Sequence, residues 1–220
     1  MKFKSIALII SVVLAAFSFA ACDLGLKNKE YVPTSDNCFD FVEIDGAYAI
    51  SAKSGAVLPA TVNLPAEHNG KAITTIAADG FKGTQITKVV LPASYKEIKE
   101  RAFKECAALK TVSLAAVEKI GNQAFADCEK LSVVNYPAEL KEVGEFAFYQ
   151  TAVANAKFIG VTTIGKFAFY GCKSLKSVYI PSTTVSIGES AFGGIEAEVN
   201  YDVSSSNEYY KVSDGKITAK

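Results

Sequence analysis

Six phenylalanines, Phe81, Phe103, Phe125, Phe148, Phe169 and Phe192, fall into one column when the chain is laid out at successive spacings of 22, 22, 23, 21 and 23 residues. Self-similarity at such a period is the signature of a repeat architecture and constrains the fold more tightly than composition does. Five residues before each Phe stands an aliphatic: Ile76, Ile98, Ile120, Val143, Ile164 and Ile187. After it come Ile86, Leu109, Leu131, Val153 and Leu175, then Val89, Val112, Val134, Ala156 and Val178, then Leu91, Leu114, Tyr136, Phe158 and Ile180. The resulting Leu-x-x-Val-x-Leu pattern predicts a short extended segment with alternating inward side chains.

A period near 22 is too short for paired-helix repeats and falls within the roughly 20–29 residues of leucine-rich repeats. Each unit is then one coil of a solenoid, unable to bury its apolar face alone, so the aliphatic and Phe columns must stack on those of the next coil. The expected fold is mainly β: a leucine-rich-repeat solenoid of about six coils with hairpin-like caps at both ends. Gly121, Gly144, Gly165 and Gly188 directly follow the pre-Phe aliphatic, which suggests a backbone turn there, although Ala77 and Lys99 hold the same place in other coils. These glycines are spread one per coil, with no loop ending in Lys-Ser/Thr, and so do not form a phosphate cradle.

The N-terminus is of a different kind. Met1-Lys-Phe-Lys4 followed by the apolar run from Ser5 to Phe19 has the basic and hydrophobic regions of a secretory signal peptide, and it is too short for a comfortable membrane span. Phe19-Ala20-Ala21-Cys22 resembles the lipobox of bacterial lipoproteins, with Phe where an aliphatic is usual. That resemblance implies cleavage after Ala21 and lipid on Cys22, and several acyl chains anchor stably where one is marginal. Residues 1–21 are therefore read as signal peptide, 22–38 as lipidated N-terminus and polar tether, and 39–220 as the repeat domain. Within it, 39–75 is the N-terminal cap, 76–198 the repeats and 199–220 the C-terminal cap. A tether of that length reaches roughly 20–25 Å. Loss of the leader leaves 21 basic against 23 acidic side chains, a formal −2, which gives no attraction to nucleic acid.

In the caps, Asp45-Gly46 between Phe39–Ile44 and Ala47–Ile50, and Asp214-Gly215 between Tyr209–Ser213 and Lys216–Thr218, suit the primed turns of β-hairpins. Val57–Leu64 reads as a further extended piece, and Asn69-Gly70 as the turn into the first coil.

Cys106, Cys128 and Cys172 each lie three residues after a repeat Phe, in an inward column with Thr84 and Thr151. Buried reduced thiols serving as small apolar filler is the preferred reading. A Cys106–Cys128 disulfide is conceivable by separation, but in-register side chains run parallel, and a line of thiols does not make a tetrahedral metal site. Cys38 is read as an incidental thiol. His68, the single histidine, reads as an exposed loop residue with no nucleophile placed beside it. Glu97, Glu142 and Glu189 read as solvated rim rather than a glycosidase pair. No catalytic set, cofactor or metal site emerges. The outward strand positions, Lys88, Val90, Thr111, Ser113, Val133, Asn135, Asn155, Lys157, Ser177 and Tyr179, should stack into a continuous lattice and are the candidate partner-binding residues, Tyr being a frequent interface anchor.

Ile-Gly-x-x-Ala-Phe at Ile120–Phe125 and Ile187–Phe192, together with Gly171-Cys-Lys-Ser-Leu-Lys-Ser-Val-Tyr-Ile-Pro181, resembles the BspA-like leucine-rich-repeat family of bacterial surface proteins over about residues 39–220. The cap segments match in style. Thr84 and Thr151 depart from the Cys of the pattern, and Ala115 and Ile159 from its proline. The resemblance implies a non-enzymatic protein of the bacterial cell envelope, exposed at the surface, held to the membrane by lipid on Cys22 and binding protein ligands on its sheet. A carbohydrate-binding accessory lipoprotein and a structural envelope component are the alternatives. The family shares no catalytic motif to carry over.

Overall fold

The computed structural model describes residues 31–195 and 198–220. Residues 1–21, read as a signal peptide, and Cys22 lie outside the described residues.

The first elements among the described residues are a single 3-10 turn, Asp36–Cys38, and the hairpin β1 (Phe39–Ile44) and β2 (Ala47–Ala52). Asp45 and Gly46 both take positive φ, the primed turn that the Asp-Gly pair predicts. Then follow β3 (Thr61–Asn63), β4 (Glu67–His68) and β5 (Lys71–Ile76), the last two joined through Asn69-Gly70. From there each coil supplies a three- or four-residue strand and a two-residue strand. These are β6 (Lys88–Val90) and β7 (Glu97–Ile98), β8 (Thr111–Ser113) and β9 (Lys119–Ile120), and β10 (Val133–Asn135) and β11 (Glu142–Val143). The series continues with β12 (Asn155–Lys157) and β13 (Thr163–Ile164), then β14 (Ser177–Ile180) and β15 (Ser186–Ile187), and ends in β16 (Asn200–Val203), β17 (Tyr210–Ser213) and β18 (Lys216–Ala219).

The short strands form one long ladder, β1-β2-β5-β7-β9-β11-β13-β15, parallel from β2 onward. Each coil therefore has three sides: the longer strand, the short strand, and a turn carrying the column Phe. The Phe rings pile along the axis. Phe81, Phe103, Phe125 and Phe148 lie 5.2 Å apart in succession, and Phe169 and Phe192 continue at 4.9 and 5.5 Å. This spacing follows the roughly 4.7–4.9 Å between hydrogen-bonded strands. Phe39 closes the N-terminal end of the pile edge-on at 6.1 Å, and Tyr201 the other end at 6.0 Å.

On the Phe side the coils are tied by a second backbone ladder. Arg101, Phe103 and Glu105 donate their N–H groups to the carbonyls of Asn122, Ala124 and Ala126, and the same three donors recur in successive coils, as from Gln123, Phe125 and Asp127 to Glu145, Ala147 and Tyr149. The residues two before and two after the Phe take positive φ, among them Asp79, Arg101, Gln123, Phe146, Phe167 and Ser190 before it. Left-handed backbone costs a side-chain-bearing residue about 1–2 kcal/mol. An inter-coil hydrogen bond returns about 0.5–1.5 kcal/mol.

The glycines that follow the pre-Phe aliphatic are therefore not the turn. None of Gly121, Gly144, Gly165 and Gly188 has positive φ. They are required by close approach: a Cβ on Gly165 would sit 2.5 Å from the backbone nitrogen of Glu145 in the coil before.

Sequence periodicity also under-reads both ends. The N-terminal cap is out of register in sequence but in register in space, since β2 pairs parallel with β5 and β3 with β6, making a turn of the solenoid that lacks the Phe. Part of the segment read as tether is docked: Thr34 donates its N–H to Asn63 O at 2.8 Å, and Asn63 donates its own to Thr34 Oγ1 at 3.1 Å. These contacts cover the free edge of β3, which would otherwise be open to strand addition. His68 is not an exposed loop residue. It stacks on Phe41 at 3.8 Å with its Nδ1 3.2 Å from Asp36 Oδ2, because the Asn69-Gly70 turn folds its strand back over the first hairpin. At the far end β16 pairs parallel with β14, and β17 and β18 form the expected hairpin.

The cysteine column is inward and reduced. Cys106, Cys128 and Cys172 are fully buried and free, and each thiol donates to a Phe carbonyl of a preceding coil: Phe81 O at 3.0 Å, Phe103 O at 3.0 Å and Phe148 O at 3.1 Å. Thr84 and Thr151 occupy the same column and donate to the Phe carbonyl of their own coil instead.

Candidate binding surface

The longer strands place every candidate partner-binding residue on an outward rung. Parallel register aligns Thr61, Lys88, Thr111 and Val133 in one row and Asn63, Val90, Ser113 and Asn135 in the next. Between them Val62, Val89 and Val112 point inward and are buried. Asn155, Ser177 and Asn200 make a matching row, and Lys157, Tyr179 and Asp202 its neighbour.

The lattice is not continuous. The strands fall into a four-stranded panel, β10-β8-β6-β3, and a three-stranded panel, β12-β14-β16, with no ladder between β10 and β12. Two local features coincide with the break. In the preceding coil Cys128-x-x-Leu131 makes a tight turn, Leu131 N–H donating to Cys128 O at 2.9 Å, whereas Thr151-Ala152-Val153 is one residue shorter. Tyr136 also replaces the Leu of its column, and its ring wedges edge-on between Phe148 at 5.8 Å and Phe158 at 5.2 Å. Burial holds the Tyr136 phenol proton far more tightly than in water, and its hydroxyl has no hydrogen-bond partner. The six candidates from Lys88 to Asn135 thus belong to one panel and the four from Asn155 to Tyr179 to the other.

The panels differ in chemistry. The first presents Val133, 56% exposed, beside Thr111, Ser113 and Asn135. The second is dished: Lys157, Ser177 and Tyr179 line a depression of about 750 Å³ with Ile159, Pro181, Ser182, Asn200 and Asp202. Tyr179 stands between Lys157 and Asp202 on one rung, and among the described residues neither charge is in an ion pair. Ser177 Oγ donates to Asn155 Oδ1 at 2.7 Å and fixes the upper row. Ile159, 57% exposed, adds an apolar wall. Sequence reasoning missed Asn200 and Asp202 because they lie beyond the last column Phe. The alternation of Val199, Tyr201 and Val203 is the signal that marks their strand.

The other candidate chemistry is not assembled. Glu97 and Glu142 lie on the short-strand ladder with Lys119 in register between them, and Lys119 Nζ is 3.1 Å from Glu142 Oε2. Among the described residues no group of three or more His, Cys, Asp or Glu side chains is placed to hold a metal ion.

A family model described as the BspA type leucine rich repeat region matches residues 74–198 in six copies. The chain belongs to the BspA-type leucine-rich repeat family. Among solved structures this BspA-type chain is similar to a leucine-rich repeat protein of Treponema pallidum, at 22% identity over 79% of this chain and 87% of that one, with a TM-score of 0.64. It is also similar to a leucine-rich cell surface protein of Faecalibacterium prausnitzii, at 21% identity over 88% of this chain and 60% of that one, TM-score 0.59. A leucine-rich repeat protein of Eubacterium ventriosum is 23% identical over 84% of this chain and 46% of its own, TM-score 0.60. The BspA-type chain thus spans less than two thirds of the first of these latter two proteins and less than half of the second. At these identities the likeness concerns the fold. No curated protein matches the chain.

Proposed function

We propose that this protein is displayed on the bacterial cell surface, held there by lipid on Cys22, and binds a protein ligand through the three-stranded panel of its solenoid without catalysing a reaction. The observation that carries the reading is the rung Lys157-Tyr179-Asp202 over the 750 Å³ depression. An amphipathic aromatic flanked by one charge of each sign is the composition of an interface hot spot with a polar surround. The four-stranded panel, with Lys88, Val90, Thr111, Ser113, Val133 and Asn135, extends the contact as a margin. Surface display is supported by the lipobox at Phe19–Cys22 and by the description of the F. prausnitzii relative as a cell surface protein.

The test is a pull-down from surface-protein and matrix extracts with wild type against the double variant Tyr179→Ala, Lys157→Ala. Loss of one or more partners from the variant supports the panel, and equal recovery of every partner defeats it. Anchorage is tested separately: Cys22→Ala should abolish incorporation of radiolabelled palmitate and membrane fractionation, and retention in the membrane fraction would mean another anchor.

A further inference from the structure

The Phe side of the coils carries a second surface with a different composition. Two positions per coil lie outside the core there, two residues before the Phe and one after it, and all but the covered Ala126 are exposed or half-buried. Along the axis they read Asp79 and Lys82, Arg101 and Lys104, Gln123 and Ala126, Phe146 and Tyr149, Phe167 and Tyr170, Ser190 and Gly193. In two adjacent coils alone both positions are aromatic, and all four rings are only half-buried. Phe146 and Phe167 stack at 5.0 Å, Tyr149 and Tyr170 at 6.0 Å, and each Phe packs edge-on against the Tyr of its own coil. Both Phe residues hold φ of 55°, a backbone conformation that bulky side chains rarely adopt. The other coils fill that position with polar residues, so the fold itself does not call for the aromatic, and a strained, part-exposed ring points to use.

The two ends of the aromatic block are unequal. The C-terminal end is closed, since the Gly194 backbone lies directly against the Tyr170 ring. At the N-terminal end the coil before carries only a methyl group at Ala126, itself covered to 2% exposure, and a notch of about 190 Å³ lies over it, lined by Phe146, Tyr149, Ala126, Gln123, Lys104 and Asp127. Lys104 Nζ donates to Gln123 Oε1 at 2.9 Å. Asp127 is in no ion pair among the described residues.

We propose that this notch binds one neutral pyranose unit of a glycan. The volume is below the roughly 300–1,000 Å³ of sites for drug-sized ligands, and at about 30 Å³ per water it holds the equivalent of some six waters, room for one substituted ring. The electron-rich face of an aromatic ring suits the polarised C–H groups on a sugar face. The opposite wall offers an ammonium donor, a carboxylate acceptor and an amide that does both, the mixture that hydroxyl groups require. One positive and one negative charge cancel inside the notch. A cationic side chain would meet Lys104, an anion would meet Asp127, and a purely apolar group would leave the Asp127 carboxylate, which is in no ion pair among the described residues, without a partner. The site lies on a different side of the coil from the proposed protein-binding panel and does not depend on it.

The test is saturation-transfer NMR on the purified protein with the methyl glycosides of glucose, galactose, mannose and N-acetylglucosamine, and with methyl glucuronide and a lysine amide as charged controls. Transfer to at least one neutral glycoside is expected, weakened about tenfold or more in Ala126→Tyr. That substitution continues the Tyr149 and Tyr170 column into the notch, and folding is checked by circular dichroism. Asp127→Gly, which removes the carboxylate and suits the positive φ of that position, should weaken binding in the same sense and serves if Ala126→Tyr does not fold. Tyr179→Ala should bind as wild type. Absence of transfer to every neutral glycoside, undiminished binding in the notch variants, or preference for a charged control would each overturn the proposal.

Discussion

Adjacent coils meet most closely where backbone touches backbone, and the consequences can be tested one residue at a time. Gly165 sits against Glu145 N with no room for a methyl group. Gly165→Ala should therefore lower the unfolding free energy by about 1–3 kcal/mol through overpacking, read from urea denaturation. Gly165→Asn should be at least as harmful, although Asn tolerates left-handed backbone; a benign Asn variant would mean that conformation, not space, selects the glycine. The thiols offer a second test. Burial raises the pKa of the Cys172 thiol, and Cys128 is raised by the neighbouring Cys106 thiol and by burial. A thiol reagent should label Cys38 in the folded protein and reach Cys106, Cys128 and Cys172 only on unfolding. Rapid labelling of any of the three would contradict the inward column.

Among the elements, the C-terminal hairpin depends on one buried side chain. Asn207 donates through Nδ2 to Pro181 O at 2.8 Å and Thr184 O at 3.0 Å, and accepts through Oδ1 from the N–H groups of Tyr209 and Tyr210. Tyr210 in turn offers its hydroxyl oxygen to the N–H of Ile187 at 2.8 Å and satisfies the last rung of the short-strand ladder. Asn207→Ala leaves several of these groups unpaired and should cost about 1–3 kcal/mol per buried group that water cannot reach. Hydrogen exchange should then accelerate in β17 and β18 before it does in β7 or β9; uniform acceleration would deny the hairpin its separate attachment. This element also marks a limit of sequence reading. Asn207 belongs to a buried column with Tyr95, Val117, Leu140, Val161 and Thr184, whose aliphatic middle gives way to Tyr at one end and to Thr and Asn at the other, so the residue class does not carry the signal to the cap. The Phe, aliphatic and strand columns were legible because one residue class recurs in each. The positive-φ positions were not, because backbone geometry there is imposed by inter-coil hydrogen bonds on side chains as different as Asp79, Arg101 and Phe146. The break between β10 and β12 was equally hidden, since the shortening at Thr151-Ala152-Val153 also occurs at Thr84-Gln85-Ile86, where β6 keeps both its neighbours.

For the whole molecule, a solenoid is a stack of nearest-neighbour contacts, so its surface is the repeat read outward. That logic located all ten candidate partner residues on exposed or half-exposed rungs but could not rank them, since rank depends on what lies beyond the last repeat: Asp202 and Asn200 become neighbours of Tyr179 and Ser177 only because β16 continues the sheet. It also passed over the aromatic block, which occupies two coils and has no period. The central claim is that ligand contact is made at the three-stranded panel. The most direct measurement places a photo-crosslinking benzoyl-phenylalanine at Tyr179 and, in a second protein, at Glu118, an exposed residue away from that panel, and illuminates intact cells in contact with their surroundings. Discrete adducts from position 179 and none from 118 are expected. No adduct from 179, or the same adducts from both, would contradict the account.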